Sequence, residues 1–263
     1  MTNDWTCGER IVSGDELLPY KSPAGAVCWW CGAKATTREH KFKRTDLERM
    51  WGAGDQYLVH YGGGKMPLSK VTSARKSQQI RFSPNLCAQC NNARSQPFDR
   101  AYDRFAEYVW ANLDSLRRRR YLDASDIYGN DWRIGFHDLA RYVVKHVGCR
   151  IADSDFAVPQ DFRDFLDGGD RAAHMHMVTF KDRDLSRWRT RASRQGIDAA
   201  GLHIDPDMAV INRSTHAMTM YSSSLGLGYV GVMYRWEEDA SNTDPFYIYK
   251  LAPLHWRHRL PGV

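Results

Sequence analysis

Two Cys-x-x-Cys pairs, Cys28-Trp29-Trp30-Cys31 and Cys87-Ala88-Gln89-Cys90, constrain this chain more than any other feature. Four thiolates so paired close a tetrahedral zinc site, and closing it ties together two distant segments. Either pair alone would also suit free or redox-active thiols. The start, Met1-Thr2-Asn3-Asp4-Trp5, lacks the basic and apolar regions of a signal peptide. No stretch approaches the ~18–20 apolar residues of a membrane span. These observations read as a cytoplasmic chain with no membrane partner, in a reducing compartment where paired cysteines hold metal rather than form disulfides. Cys7 and Cys149 stand alone and read as ordinary thiols.

Glu39-His40 lies between the two pairs, on a stretch of alternating, β-friendly residues from Thr36 to Phe42, and Asn91 follows Cys90 directly. The order Cys-x-x-Cys, Glu39-His40, Cys-x-x-Cys-Asn91-x-x-Arg94 resembles the HNH (ββα-metal) nuclease family over about residues 26–110. Phosphodiester hydrolysis needs a base for the attacking water and positive charge on the developing oxyanion. Histidine suits the base role, and a carboxylate with an amide oxygen suits Mg²⁺ or Mn²⁺. The resemblance implies His40 as general base, Glu39 and Asn91 as ligands of one catalytic cation, and Arg94 on the scissile phosphate. It also implies a structural Zn²⁺ on Cys28, Cys31, Cys87 and Cys90. An Asn at a helix start also serves as an N-cap, which needs no metal. The family's final His has no counterpart near Asn91, and Asp99 is the nearest candidate for that ligand position. Trp29 and Trp30 read as packing on the zinc site, with base stacking as the second choice.

The net charge is +6, and its distribution matters more than its size. Arg38, Lys41, Lys43 and Arg44 surround the Glu-His pair, and residues 65–81, including Lys70, Arg75 and Lys76, carry no acid. That pattern suits a polyanion such as DNA, with RNA not excluded, although a basic stretch is also an ordinary solvated face. The run Arg117 to Arg120 either tracks a phosphate backbone or complements a helix C-terminus.

Apolar residues recur at helical spacing from Phe98 to Leu113 and from Ile134 to Val147. Residues 52–79 read as loop-rich, 121–131 as turn-like, and the chain beyond 174 as mainly β, with a hairpin turn near Gly226-Leu227-Gly228. The expectation is an α+β protein with a zinc-stapled ββα-metal nuclease core in residues 1–122. A helix-plus-antiparallel-sheet module of unknown role would fill 123–263 and offer a surface for self-association or a protein partner. The expected function is metal-dependent endonuclease; the alternative is a catalytically silent, zinc-stapled nucleic-acid-binding protein.

Overall fold

The computed structural model describes residues 15–21, 25–51, 56–59, 68–71, 80–196, 201–240 and 245–257. Over these residues the protein is mixed α+β. Residues 26–42 do not form the regular strands expected of them. They make isolated antiparallel bridges, Val27 with Lys34, Thr37 with Leu86 and His40 with Arg81. The physical reason lies in the ladder: the N–H groups of Thr36 and Thr37 both donate to the Leu86 carbonyl, so two residues face one, as in a β-bulge. The ββα-metal core expected from the sequence is therefore not present as regular strands.

Helix α1 (Arg44–Trp51) follows, then a hairpin of β1 (Gln56–Val59) and β2 (Leu68–Val71) within the segment expected to be loop. Buried Asp46 ties α1 to the next long helix, accepting from Tyr102 Oη at 2.8 Å and Trp110 Nε1 at 3.1 Å. The second knuckle runs into a π-helical turn, Gln89–Arg94, before α2 (Gln96–Leu116). Pro97 explains the break, because its ring and missing N–H cannot continue an α-helix from the preceding turn. Phe98, Tyr102, Phe105, Val109, Leu113 and Leu116 form the buried stripe of α2. At its C-terminus the ammonium of Lys181 donates to the carbonyls of Leu116, Arg117 and Arg119 at 3.4, 3.2 and 2.5 Å. A buried cation therefore satisfies the orphan carbonyls of the helix end.

Strand β3 (Tyr121–Asp123) replaces the expected turn, and α3 (Ala124–Tyr128) follows, capped by Asp123 accepting from Ser125 N–H at 2.8 Å. Helix α4 (Trp132–Asp153) is buried on all sides from Tyr142 to Ala152, with Lys145, His146 and Arg150 among the buried residues. It packs on α2, where the rings of Tyr102 and Tyr142 stack at 4.1 Å. After α5 (Gln160–Leu166) come β4 (Met175–Asp182), α6 (Arg183–Arg194), β5 (Leu202–Ile204), β6 (Met208–Ile211), β7 (Met218–Leu227), β8 (Val230–Glu237), β9 (Leu251–Pro253) and β10 (His255–Arg257). The six-stranded sheet runs β10-β4-β8-β7-β5, with β6 also paired to β7. All its pairs are antiparallel except β10 with β4. The β7–β8 loop is Gly228-Tyr229, and Gly228 takes the positive φ of 60° that a two-residue hairpin loop demands.

One hydrophobic core runs from Trp29 and Trp30 through α2 and α4 to the sheet, so it is continuous across position 122/123. Strand β3 pairs with β9 across the same position. No helix of the described residues is long and apolar enough to cross a membrane.

Candidate metal centre and the adjoining carboxylate site

The four cysteine sulfurs lie within 4.8 Å of one another, with Cys31 exposed and the other three buried. A zinc ion with bonds of about 2.3 Å holds its sulfurs roughly 3.8 Å apart. The observed Cys31–Cys87 separation of 3.6 Å is close to that value. Gly32, at φ 79°, lets the first knuckle turn back so that its N–H donates to the Cys28 carbonyl at 2.9 Å. In the second knuckle the Cys90 N–H donates to Cys87 Sγ at 3.4 Å, and this bond draws the Cys87 thiol down to about 7. Burial pushes the thiols of Cys28 and Cys90 up. Four soft donors converging at these distances can hold a structural metal such as zinc. Among the described residues it is the one group of three or more Cys, His, Asp or Glu side chains so placed.

The tryptophans between Cys28 and Cys31 serve packing, as expected. A Cβ added at Gly148 of α4 would fall 2.5 Å from the Trp29 ring, so that ring lies flush on the helix. Trp30 stacks on Phe98 at 6.2 Å and donates from Nε1 to Asp167 at 2.7 Å.

Glu39 and Asp99 are brought together, but around a lysine. Lys145, 1% exposed, places its ammonium 3.4 Å from the Glu39 carboxylate and 3.1 Å from that of Asp99. Burial alone would push that ammonium down, but the two carboxylates hold it above its ordinary value. Burial pushes the Glu39 carboxyl up, and Lys145 only partly opposes this because Asp99 competes for the same charge. Asn91 stands in the π-helical turn, not at an N-cap, and its Oδ1 is buried without a hydrogen-bond partner among the described residues. Its backbone carbonyl is linked to the carboxylates through Ser95, whose hydroxyl lies 2.9 Å from both that oxygen and the Asp99 carboxylate and shares its one proton between them.

His40 turns to another partner. Its Nε2 accepts from Arg81 Nε at 3.2 Å, so that lone pair is engaged in this arrangement.

The basic residues expected to meet phosphate are mostly occupied. Arg94 lies 4.3 Å over the Trp30 ring, pairs with Asp167 and donates to Cys90 Sγ at 3.5 Å, so it supports the knuckle. Lys41 pairs with Asp153 at 3.5 Å, Lys43 with Asp103 at 2.8 Å and Arg44 with Glu48 at 3.1 Å. Arg38 is half-buried and also partnered. The backbone of Lys70 pairs with Tyr57 in the β1–β2 hairpin, while Arg75 and Lys76 lie outside the described residues.

Sequence reasoning missed Lys145. The available signal was a lysine, a histidine and an arginine inside an otherwise apolar stretch of α4, since such groups are buried only when partnered. Of the donors the resemblance implies for a divalent cation, Asn91 Oδ1 has no hydrogen-bond partner among the described residues, whereas the Glu39 carboxylate is already paired with Lys145. No protein-family model, no characterised protein and no solved structure matches the chain.

Proposed function

We propose that this protein is a zinc-stapled, metal-dependent endonuclease acting on phosphodiester bonds of nucleic acid, with duplex DNA as first substrate. The supporting observation is the buried Asn91 Oδ1, which has no hydrogen-bond partner among the described residues and stands one residue after the four-cysteine cluster, while the backbone carbonyl of Asn91 is linked through Ser95, Asp99 and Lys145 to Glu39. A Mg²⁺ or Mn²⁺ ion held by Glu39 and Asn91 would supply the charge that stabilises the pentacovalent phosphate. Lys145 pairs with both carboxylates and holds them in place. In this reading an arriving phosphate takes the Arg81 guanidinium, which frees His40 Nε2 to accept the proton of the attacking water. Arg94 braces the knuckle rather than the strand.

The test is cleavage of supercoiled plasmid with Mg²⁺ or Mn²⁺ by wild type, wild type with EDTA, and folded His40→Ala, with zinc content measured in each. Nicking by metal-supplied wild type alone, with zinc retained throughout, is the expected result. The engagement of Glu39 by Lys145 favours a second reading, a nucleic-acid-binding protein without catalysis. Equal binding by wild type and His40→Ala, with no cleavage of plasmid, RNA or single strands, would select it.

A further inference from the structure

Helix α6 carries an arginine stripe that no motif announces. Arg183, Arg187, Thr190 and Arg194 follow one another at spacings of four, three and four, which places them on one helix face. Arg191 flanks that stripe, and Arg187, Arg191 and Arg194 are exposed. The fold then adds charge from elsewhere in the chain: Arg117 Nη1 donates to Thr190 Oγ1 at 3.2 Å, which seats Arg117 beside α6, while Arg119 of the same run pairs with Asp126 of α3. Arg189 reaches back to Asp114 of α2 at 3.7 Å, fixing the two elements together. Trp188 is 54% exposed among these arginines. Acid on this face is sparse: Asp184 stands 3.9 Å from Arg187, and Asp114 is almost fully exposed.

We infer that α6 and the arginines after α2 form a second docking surface, which takes the phosphate backbone of a nucleic-acid strand. Its length fits. Arg183 to Arg194 spans about 16 Å along the helix at about 1.5 Å per residue. Along a duplex axis that covers about five base-pair steps, at about 3.4 Å of rise for each phosphate of one strand. Arginine pairs with phosphate bidentately, and an exposed indole offers a stacking face. A lipid surface is the lesser fit, because Leu185 packs on the core and Ala192 is buried, leaving Trp188 as the large apolar side chain exposed on α6. The surface thus gives residues 123–263 a role in holding nucleic acid. It rests on nucleic acid being the partner, as proposed above, but not on catalysis.

The experiment uses the full chain carrying His40→Ala and a fluorescein-labelled duplex DNA probe, titrated from low to high salt. The test variant is Arg187→Gln/Arg191→Gln/Arg194→Gln, and its companion replaces the same three with Lys. For three lost contacts, the slope of log affinity against log salt is expected to fall by about 2.7, with binding roughly a hundredfold weaker near 0.15 M salt. The lysine companion keeps the slope, which separates lost charge from lost folding. Duplex is also expected to quench wild-type tryptophan emission more than that of Trp188→Phe. An unchanged slope in the glutamine variant overturns the inference, and so does binding to phosphatidylserine vesicles in preference to duplex. Loss of duplex binding in that variant, together with no cleavage of plasmid, RNA or single strands by wild type, would uphold this surface and remove the nuclease reading.

Discussion

Lys145 and His146 are neighbours on one buried turn of α4, yet one is held charged and the other neutral. Lys145 stays protonated because Glu39 and Asp99 flank it. Lys145→Met therefore strands two carboxylates, and unfolding in urea is expected to show a loss of about 3 kcal/mol, as for a broken buried pair. Adding Glu39→Gln should recover part of that loss, and a simple cavity effect would not. His146 donates from Nε2 to the Lys41 carbonyl at 2.9 Å, and its Nδ1 has no partner among the described residues. Burial, with Arg150 adding to it, pushes the imidazole down to about 3. An unfolded histidine takes its proton near pH 6.5. The contribution of this depressed group is thus complete above pH 6.5 and is lost as pH falls toward 3. Between pH 7.5 and 5 the loss is about 2 kcal/mol. His146→Gln should remove that part of the slope when the two proteins are compared at equal zinc.

At the scale of elements, the decisive contact is between the first knuckle and α4. A glycine inside a helix ordinarily costs about 1 kcal/mol relative to alanine. At Gly148 the sign reverses, because the added methyl would meet the Trp29 ring at 2.5 Å. Gly148→Ala is expected to destabilise by about 1–3 kcal/mol, the usual range for overpacking, as read by thermal melting. The knuckle itself should hold about one zinc per chain. Cys28→Ser or Cys90→Ser is expected to lose both the zinc and the cooperative melt, as measured by elemental analysis and circular dichroism.

The elements also show what was legible in the sequence. The two knuckles and the apolar stripes of α2 and α4 could be read directly, because metal spacing and helical period are local signals. The break before α2 is a local signal too, since Pro97 suits a first helical turn and not a helix interior. Lys145 was not recognised, since a single lysine in a helix ordinarily faces water, and only its distant partners Glu39 and Asp99 reveal otherwise. Helix α6 was missed for a related reason: its arginines mask an apolar face limited to Leu185, Trp188 and Ala192. Strand β3 reads as a turn until β9, far along the chain, pairs with it. The ionic partners of Lys41 and Lys43 were likewise outside the reach of spacing, as Asp153 closes α4 and Asp103 lies on α2.

Across the whole molecule, the continuous core argues against two separable halves. Trp30 to Asp167, Glu39 to Lys145, and β3 to β9 all cross position 122/123. A fragment of residues 1–122 is therefore expected to show no cooperative thermal transition even with zinc supplied, whereas the full chain does. A sharp melt for that fragment would support the boundary expected from the sequence. Lys145 gives this dependence a direction in time. During translation all four cysteines leave the ribosome before Lys145 does, so a nascent chain can capture its zinc while Glu39 and Asp99 still lack their counter-charge. The metal staple can form early, and the carboxylate site is completed only by residues synthesised later.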